Sequence, residues 1–271
     1  MNKKIQLQSG IEVPAIGLGT WQLTGSLCRE IVEKALKIGY RHIDTAEMYK
    51  NHKEIGRELE NSPLDRSELF ITTKVWYTHL SGQSIIDSAY KFQRELRTDY
   101  LDSLLIHWPN SEIPVRETLQ AMKKLKKEGT IKTFGVSNFT RDLLKEAIET
   151  GLNIDLNQVE YHLSLNQNGL KNFCDKNNIA VTAYSPLGRG GDLGNTKVKE
   201  LSEKYNKTPA QIILNWLLSK GLIVIPKASQ EKHLRENIKS FDFEMDKKDI
   251  KQLENTSSKD NRIINPGFSE F

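Results

Sequence analysis

The run Leu69-Phe70-Ile71-Thr72-Thr73-Lys74-Val75 is followed, after a stretch with Ile85, Ala89, Phe92 and Leu96 at helical spacing, by a second apolar run, Leu101-Asp102-Ser103-Leu104-Leu105-Ile106-His107. A short β-branched run, an amphipathic helix pattern and another short run make one βα repeat. Outward from it the alternation recurs. Further β-type runs at Ile16–Leu18, His42–Asp44, Phe134–Val136, Leu156–Val159, Ile179–Tyr184 and Leu222–Pro226 bring the number to eight. Strands that alternate with helices join through right-handed crossovers into a parallel sheet. A strand, a helix and two short loops take roughly 30 residues, so eight units with one insertion near residues 186–207 use up the 271 residues of the chain.

The pattern predicts an α/β chain folded as a single (β/α)8 barrel domain over residues 1–271, preceded by a hairpin made of Ile5–Gln8, a Ser9-Gly10 turn and Ile11–Val13. No Pro/Gly/Ser-rich linker or composition break marks a second domain. An open doubly wound sheet would carry a dinucleotide fingerprint, yet Gly17-Leu18-Gly19 has Gln22 where its third glycine belongs and Gly188-Arg189-Gly190 has Leu193 there. Helix punctuation agrees with the repeat. Thr208-Pro209-Ala210-Gln211 reads as a capping box with proline at the first helical position, Gly221 as a stop, and Asp246 as the cap of the last helix with Met245 and Ile250 as its staple.

Composition narrows the function. The chain is 37% apolar and 27% charged, and no window reaches the 18 consecutive apolar residues of a membrane span. With 39 Lys+Arg against 35 Asp+Glu the net charge is only +4 and is spread along the chain, which gives no footprint for nucleic acid. The densest run, Lys123-Lys124-Leu125-Lys126-Lys127, suits the negative end of a helix dipole before Gly129. Two cysteines, Cys28 and Cys174, are too few for a disulfide framework, and the six histidines form no HxH or HExxH pair, so no metal site is expected. The N-terminus has a positive start without an apolar stretch after it, which points to the cytoplasm.

In barrels of this kind, chemistry sits at the C-terminal ends of the strands. Asp44 and Tyr49 follow the second strand, Lys74 closes the third and His107 closes the fourth; the steps Asp44 to Lys74 and Lys74 to His107 are 30 and 33 residues, one repeat each. The four should therefore meet at one rim. A phenol with a pKa of about 10 is a poor acid at neutral pH unless its phenolate is stabilised. Lys74 can supply that charge, Asp44 can hold a buried lysine protonated, and His107 can align a substrate carbonyl by hydrogen bonding. Such a set suits carbonyl reduction if a hydride donor is bound.

These residues lie within segments that resemble, in order and over nearly the whole chain, the signatures of the aldo-keto reductases. The segments are Gly17-Leu18-Gly19-Thr20-Trp21, Ile43-Asp44-Thr45-Ala46-Glu47-Met48-Tyr49, Thr73-Lys74-Val75-Trp76, Ile106-His107-Trp108-Pro109, Gly135-Val136-Ser137-Asn138-Phe139, Asn157-Gln158, Tyr184-Ser185-Pro186-Leu187-Gly188 and Ile225-Pro226-Lys227. The resemblance implies a (β/α)8 (TIM) barrel whose bottom is capped by the N-terminal hairpin, and an enzyme that reduces aldehydes and ketones with NADPH. It implies that Tyr49 is the proton donor, that Lys74 and Asp44 tune it and that His107 orients the carbonyl. Ser137, Asn138 and Gln158 then hold the nicotinamide amide, and Tyr184 stacks on the nicotinamide ring. Ser185, Leu187 and Gly188 lie along the pyrophosphate, and Gly19, Thr20, Trp21 and Asp44 border the cofactor. Trp21, Trp76 and Trp108 become pocket walls beside Tyr49 and His107.

At the adenosine end the resemblance places Lys227 on the 2′-phosphate and Glu236-Asn237 on adenine. His233 stands where relatives selective for NADPH commonly carry arginine, and Ala228 replaces a frequent serine or threonine. A neutral imidazole is a weaker phosphate partner than a guanidinium. Lys232 and Arg235 either compensate or are exposed charges on a short helix. NADPH is expected as cofactor, with NADH also accepted. The stretch Asn110–Arg116 and the tail Asn261–Phe271 are short, which implies an open mouth suited to small aldehydes, dicarbonyls or ketones. The alternative function is a redox sensor on the same scaffold that binds the nicotinamide cofactor without turning over a carbonyl.

Overall fold

In the computed structural model, which describes residues 3–256 and 261–268, the eight runs form eight parallel strands. A two-stranded hairpin comes first, β1 (Lys4–Gln6) paired antiparallel with β2 (Glu12–Pro14). The parallel strands are β3 (Leu18–Gly19), β4 (His42–Asp44), β5 (Phe70–Val75), β6 (Leu101–Ile106), β7 (Ile131–Ser137), β8 (Leu156–Glu160), β9 (Ala180–Tyr184) and β10 (Ile223–Val224). Their order in space follows their order in sequence. The sheet closes on itself where Gly17 N donates to Val224 O (2.9 Å) and Val224 N to Ala15 O (2.8 Å). A closed parallel sheet with helices between its strands is a (β/α)8 barrel.

The helices are α1 (Gly25–Ile38), α2 (His52–Asn61), α3 (Gly82–Leu96), α4 (Val115–Lys127), α5 (Arg141–Glu149), α6 (Asn168–Lys176), α7 (Thr196–Tyr205), α8 (Pro209–Ser219), α9 (Glu231–Ile238) and α10 (Lys247–Asn255). The insertion near 186–207 holds a 3-10 segment, Gly188–Gly194, and α7. Local chemistry explains several ends. Thr208 and Gln211 cap α8 reciprocally, with Gln211 N donating to Thr208 Oγ1 and Thr208 N to Gln211 Oε1. Asp246 departs from expectation: it starts α10, but its carboxylate takes Lys204 Nζ at 3.1 Å and caps no backbone N–H. A cation reaching across from α7 outcompetes the local backbone donors.

The barrel's closure also trims its terminal strands. β3 and β10 keep only two ladder residues each, because the chains pinch together there. A Cβ on Gly19 would sit 2.5 Å from Ile225 O, so only glycine permits the approach.

Apolar residues fill two regions. The larger lies between the strands and the helices, and holds both cysteines, whose thiols burial pushes up to about 12. The smaller lies at the bottom of the barrel, where Phe70, Leu105, Leu156 and Ile223 meet Leu7 and Val13 of the hairpin segment.

Candidate active site

Period-two alternation carries the interior from apolar to polar. On β5, Ile71 and Val75 pack in the outer core and Thr73 meets His52 of α2, which leaves Phe70, Thr72 and Lys74 on the inner face. Phe70 is in the bottom cluster; four residues on, Lys74 is at the opposite end. His107, just past β6, lies two positions beyond Leu105, and Gln158 on β8 two beyond Leu156, so the same inner face passes from apolar to polar there too.

At that rim Lys74 is fully buried, and its Nζ donates to Asp44 Oδ1 (2.6 Å) and to Thr45 O (2.8 Å). The other oxygen of Asp44 accepts from Gln158 Nε2 at 2.7 Å. Both carboxylate oxygens are thus engaged, which satisfies an ion pair that burial would otherwise penalise. Tyr49 ends a single 3-10 turn, Glu47–Tyr49, stopped by Lys50 in the left-handed region at φ 55°. Its ring centroid lies 5.0 Å from Lys74 Nζ, 4.9 Å from the Trp21 ring and 5.7 Å from that of His107. The Tyr49 hydroxyl has no hydrogen-bond partner among the described residues.

Protonation follows from burial and charge. Burial, then the charge of Asp44, raises Tyr49 well above the usual phenol value, so it carries its proton at neutral pH. Burial lowers the pKa of Lys74, with Asp44 working against it. Burial, then the Lys74 charge, pushes His107 well below the ordinary imidazole value. Its ring is neutral, and its buried Nδ1 has no partner among the described residues.

A second group of polar residues continues the rim. Ser137 Oγ donates to Gln158 O (2.8 Å), and Asn138 Nδ2 donates to His107 O (2.9 Å) and to Ser137 Oγ (3.1 Å). Tyr184 Oη donates to Asn138 Oδ1 at 2.9 Å. Asn138 adopts φ 63°, a left-handed conformation that asparagine tolerates better than most residues. Beyond it, Ser185, Gly188, Arg189 and Gly190 also have positive φ (48°, 58°, 51° and 95°). Left-handed backbone of this sort makes concave, anion-binding surfaces. Amide side chains, an aromatic ring and a concave loop in sequence are a donor set that fits a nicotinamide followed by a pyrophosphate.

These groups line one cleft of about 500 Å³. One side is formed by Gly19, Thr20, Ser137, Asn138, Gln158, Tyr184, Ser185, Leu187 and Lys227, and the mouth by Trp21, Asp44, Tyr49, Trp76, His107 and Trp108. Lys74 lies beneath it. Gly188 is buried against Asp192, whose Cγ would be 2.9 Å from an added Cβ.

Three anticipated positions, His233, Glu236 and Asn237, stand on α9 and do not line the cleft. Exposed His233 directs Nδ1 at Glu236 Oε2 (3.1 Å), and Lys232 Nζ lies 3.8 Å from the same carboxylate. Arg235 donates to Glu231 at 3.0 and 2.6 Å. Lys232 and Arg235 are thus exposed charges paired along their own helix.

Several lining or supporting residues escape sequence reasoning. Glu47, half-buried, accepts from Trp76 N (3.0 Å) and faces His79 Nδ1 (3.1 Å), so it fixes the segment that carries Trp76. Buried Asn51 accepts from Thr45 Oγ1 and donates to Thr20 O and Leu23 O, tying together the loops after β3 and β4. Ile264 and Pro266 of the tail line the mouth. Phe268 stacks on Tyr77 with centroids 4.3 Å apart. Glu47 lies inside a recognisable segment, but no local pattern signals the tail contacts. Among the described residues no group of His, Cys, Asp and Glu is placed to hold a metal, and no helix is long and apolar enough to cross a membrane.

A closed (β/α)8 barrel whose C-terminal rim sets a tyrosine, a buried lysine–aspartate pair and a neutral histidine beside a row of amide side chains and a concave loop suits the chemistry of an oxidoreductase. The profile of the Aldo/keto reductase family matches residues 15–258, and the chain belongs to that family. It is an NAD(P)H-dependent oxidoreductase. The glyoxal reductase of Bacillus subtilis (strain 168) is 38% identical over 261 residues, covering 96% of this chain and 94% of that one. The methylglyoxal reductase DkgA of Escherichia coli (strain K12) is 39% identical over 255 residues, covering 92% and 91%. Among solved structures, an aldo-keto reductase from a Medee basin deep-sea metagenome library superposes with a TM-score of 0.94 at 34% identity, covering 98% of this chain and 99% of that one. A Bombyx mori aldo-keto reductase in complex with NADP gives 0.90 at 30% identity, covering 98% and 95%.

Proposed function

We propose that the protein reduces small aldehydes and dicarbonyls, of the kind named for its glyoxal and methylglyoxal reductase relatives, with Tyr49 as proton donor. The observation that carries this reading is the Tyr49 hydroxyl: it borders the cleft, keeps its proton and is bound by no described residue. A carbonyl oxygen entering the mouth is the acceptor it lacks. NADPH, held by the amide and loop residues of the other side of the cleft, would supply the hydride for the carbonyl carbon. The oxygen takes the Tyr49 proton as its charge develops, and Lys74 offsets the phenolate left behind. Neutral His107 donates an N–H to the same oxygen, which aligns it without competing as the acid. Asp44 holds Lys74, and Gln158 holds Asp44.

Ser137, Asn138, Gln158 and Tyr184 are the groups we assign to the nicotinamide, and Ser185, Leu187 and Gly188 to the pyrophosphate. Exposed Lys227, with no ion pair among the described residues, is the cation assigned to the 2′-phosphate. Because His233 is engaged by Glu236 and Arg235 by Glu231, NADPH is favoured by little more than this one contact and NADH is accepted. Loss of reduced-nicotinamide absorbance with glyoxal, methylglyoxal and small ketones, run with NADPH and with NADH, tests the assignment. Turnover with both cofactors is expected. Cofactor binding with no turnover on any carbonyl would point instead to a redox sensor.

A further inference from the structure

The mechanism leaves unused a buried ionic cluster on the far side of the cleft. Glu160 ends β8 and is fully buried, as is His162; Asp192, in the 3-10 segment of the loop assigned to the pyrophosphate, is nearly so. His162 Nε2 lies 2.9 Å from Glu160 Oε1, and its Nδ1 lies 3.2 Å from both Asp192 Oδ2 and Ser164 Oγ. A carboxylate beside each nitrogen favours the ring that carries protons on both. Burial disfavours the charge on His162, but its bonds to Asp192 and Glu160 outweigh burial and raise its pKa. Buried Glu160, His162 and Asp192 thus form one network with Ser164.

Each end of this chain grips a different wall of the cleft. Glu160 Oε1 accepts from Ile263 N (2.7 Å) and Oε2 from Ile264 N (2.8 Å), so one carboxylate holds the tail by its backbone. From there the tail runs through Ile264 and Pro266, which line the mouth, to Phe268, which lies 5.9 Å from the rings of both Trp76 and Trp108. Asp192 accepts from Ser164 N (3.3 Å) and from Ser164 Oγ, and packs under Gly188 in the loop. Ser164 also accepts Asn261 N on its carbonyl (3.3 Å) and Asn261 Nδ2 on its hydroxyl (3.3 Å). Asp192 itself makes no hydrogen bond or ion pair with residues 261–268 among the described contacts.

We infer that Glu160, His162 and Asp192 act as positioning residues that couple the cofactor loop to the substrate-side tail, so that ordering either wall favours binding at the other. The inference rests on the assignment of cofactor and carbonyl to the two sides of the cleft. The three side chains are buried and fully engaged, so displacement of one wall strands a buried polar group; coupling through such a network has a natural scale of about 1–3 kcal/mol, or roughly five- to 150-fold in affinity.

The test compares Asp192→Asn, Glu160→Gln and Ser164→Ala with the wild type, measuring the NADPH Kd by fluorescence titration and the KM and kcat for methylglyoxal at saturating NADPH. Wild-type binding and turnover report on the assignment of the cleft by themselves. Asp192→Asn is expected to raise the methylglyoxal KM by about fivefold or more, at the wall it does not directly hold; Glu160→Gln, whose residue also pairs with Tyr184 across the β8–β9 ladder, is expected to raise both constants. The change in kcat is expected to be smaller, because neither variant touches Tyr49, Lys74 or Asp44. The Asp192→Asn/Glu160→Gln double variant should lose little more than the worse single one, as groups in one network are not additive. Ser164→Ala removes the hydroxyl that meets Asp192, His162 and Asn261 without replacing any of the three cluster residues, and should raise both constants modestly; it keeps the question decidable if a cluster variant does not fold. Effects confined to the wall each residue touches, or Ser164→Ala with both constants unchanged, would overturn the coupling.

Discussion

The floor and the rim of this barrel are built from the same strands and the same inward-facing register, yet they are chemically opposite. At the floor, Phe70, Leu105, Leu156 and Ile223 close against Val13 and Leu7. At the rim, the same strand faces present Lys74 and Gln158, joined through Asp44, and His107 beside them. Burying apolar side chains contributes about 1.5–3 kcal/mol each. An ion pair in the same setting does no better than break even, because dehydration offsets the attraction. The floor thus has a sufficient explanation in stability, whereas the rim does not, and the difference marks the rim as the place where the fold serves chemistry.

The largest test removes one half of the rim's ion pair. Lys74→Met leaves Asp44 buried without its cation, and both activity and about 3–5 kcal/mol of stability should be lost, measured by carbonyl turnover and by urea unfolding. Replacing the partner too, in Asp44→Asn/Lys74→Met, should recover most of that stability and none of the turnover. Recovery of both would erase the contrast. At the floor, Phe70→Ala is expected to cost about 3–5 kcal/mol in the same unfolding assay while kcat and KM hold below the melting range.

Smaller effects refine the rim. Lys227→Ala should weaken NADPH binding by about tenfold or more and leave NADH unchanged, since one charge-assisted contact is worth about 1.5–3 kcal/mol. In the wild type, a preference for NADPH beyond about a thousandfold would show that the α9 charges contribute after all. The last expectation is a null effect. Because burial holds His107 well below its ordinary pKa, its ring stays neutral as pH rises or falls through the usual imidazole value. The reductive kcat should therefore be level from about pH 6 to 8; an inflection near 6.5 would mean that the ring protonates there.

Much of this contrast is legible in the sequence, for a physical reason. The βα repeat spaces Asp44, Lys74 and His107 one unit apart, and the two-residue strand period sets Lys74 on the same face as Phe70, so local patterns suffice to bring them together. Contacts that join distant units are not legible in this way. The bond from Gln158 to Asp44 spans 114 residues, and no helix or strand period encodes it. Asp246 shows the same limit at a helix end: its capping role is a sound local inference, and Lys204, brought near only by the packing of α7 on α10, overrides it. The tail is the extreme case, since Glu160 recognises the backbone of Ile263 and Ile264, which leaves no side-chain signature to read.

The proposed chemistry turns on the free hydroxyl of Tyr49 as the acid of a carbonyl reductase. Tyr49→Phe deletes that one oxygen and no hydrogen bond to any described residue. NADPH titration and methylglyoxal turnover on the same preparation should show an unchanged cofactor Kd and a kcat reduced by about 10²–10⁴-fold, the usual contribution of a general acid. A variant that binds NADPH and still turns over at near the wild-type rate would show that another group supplies the proton.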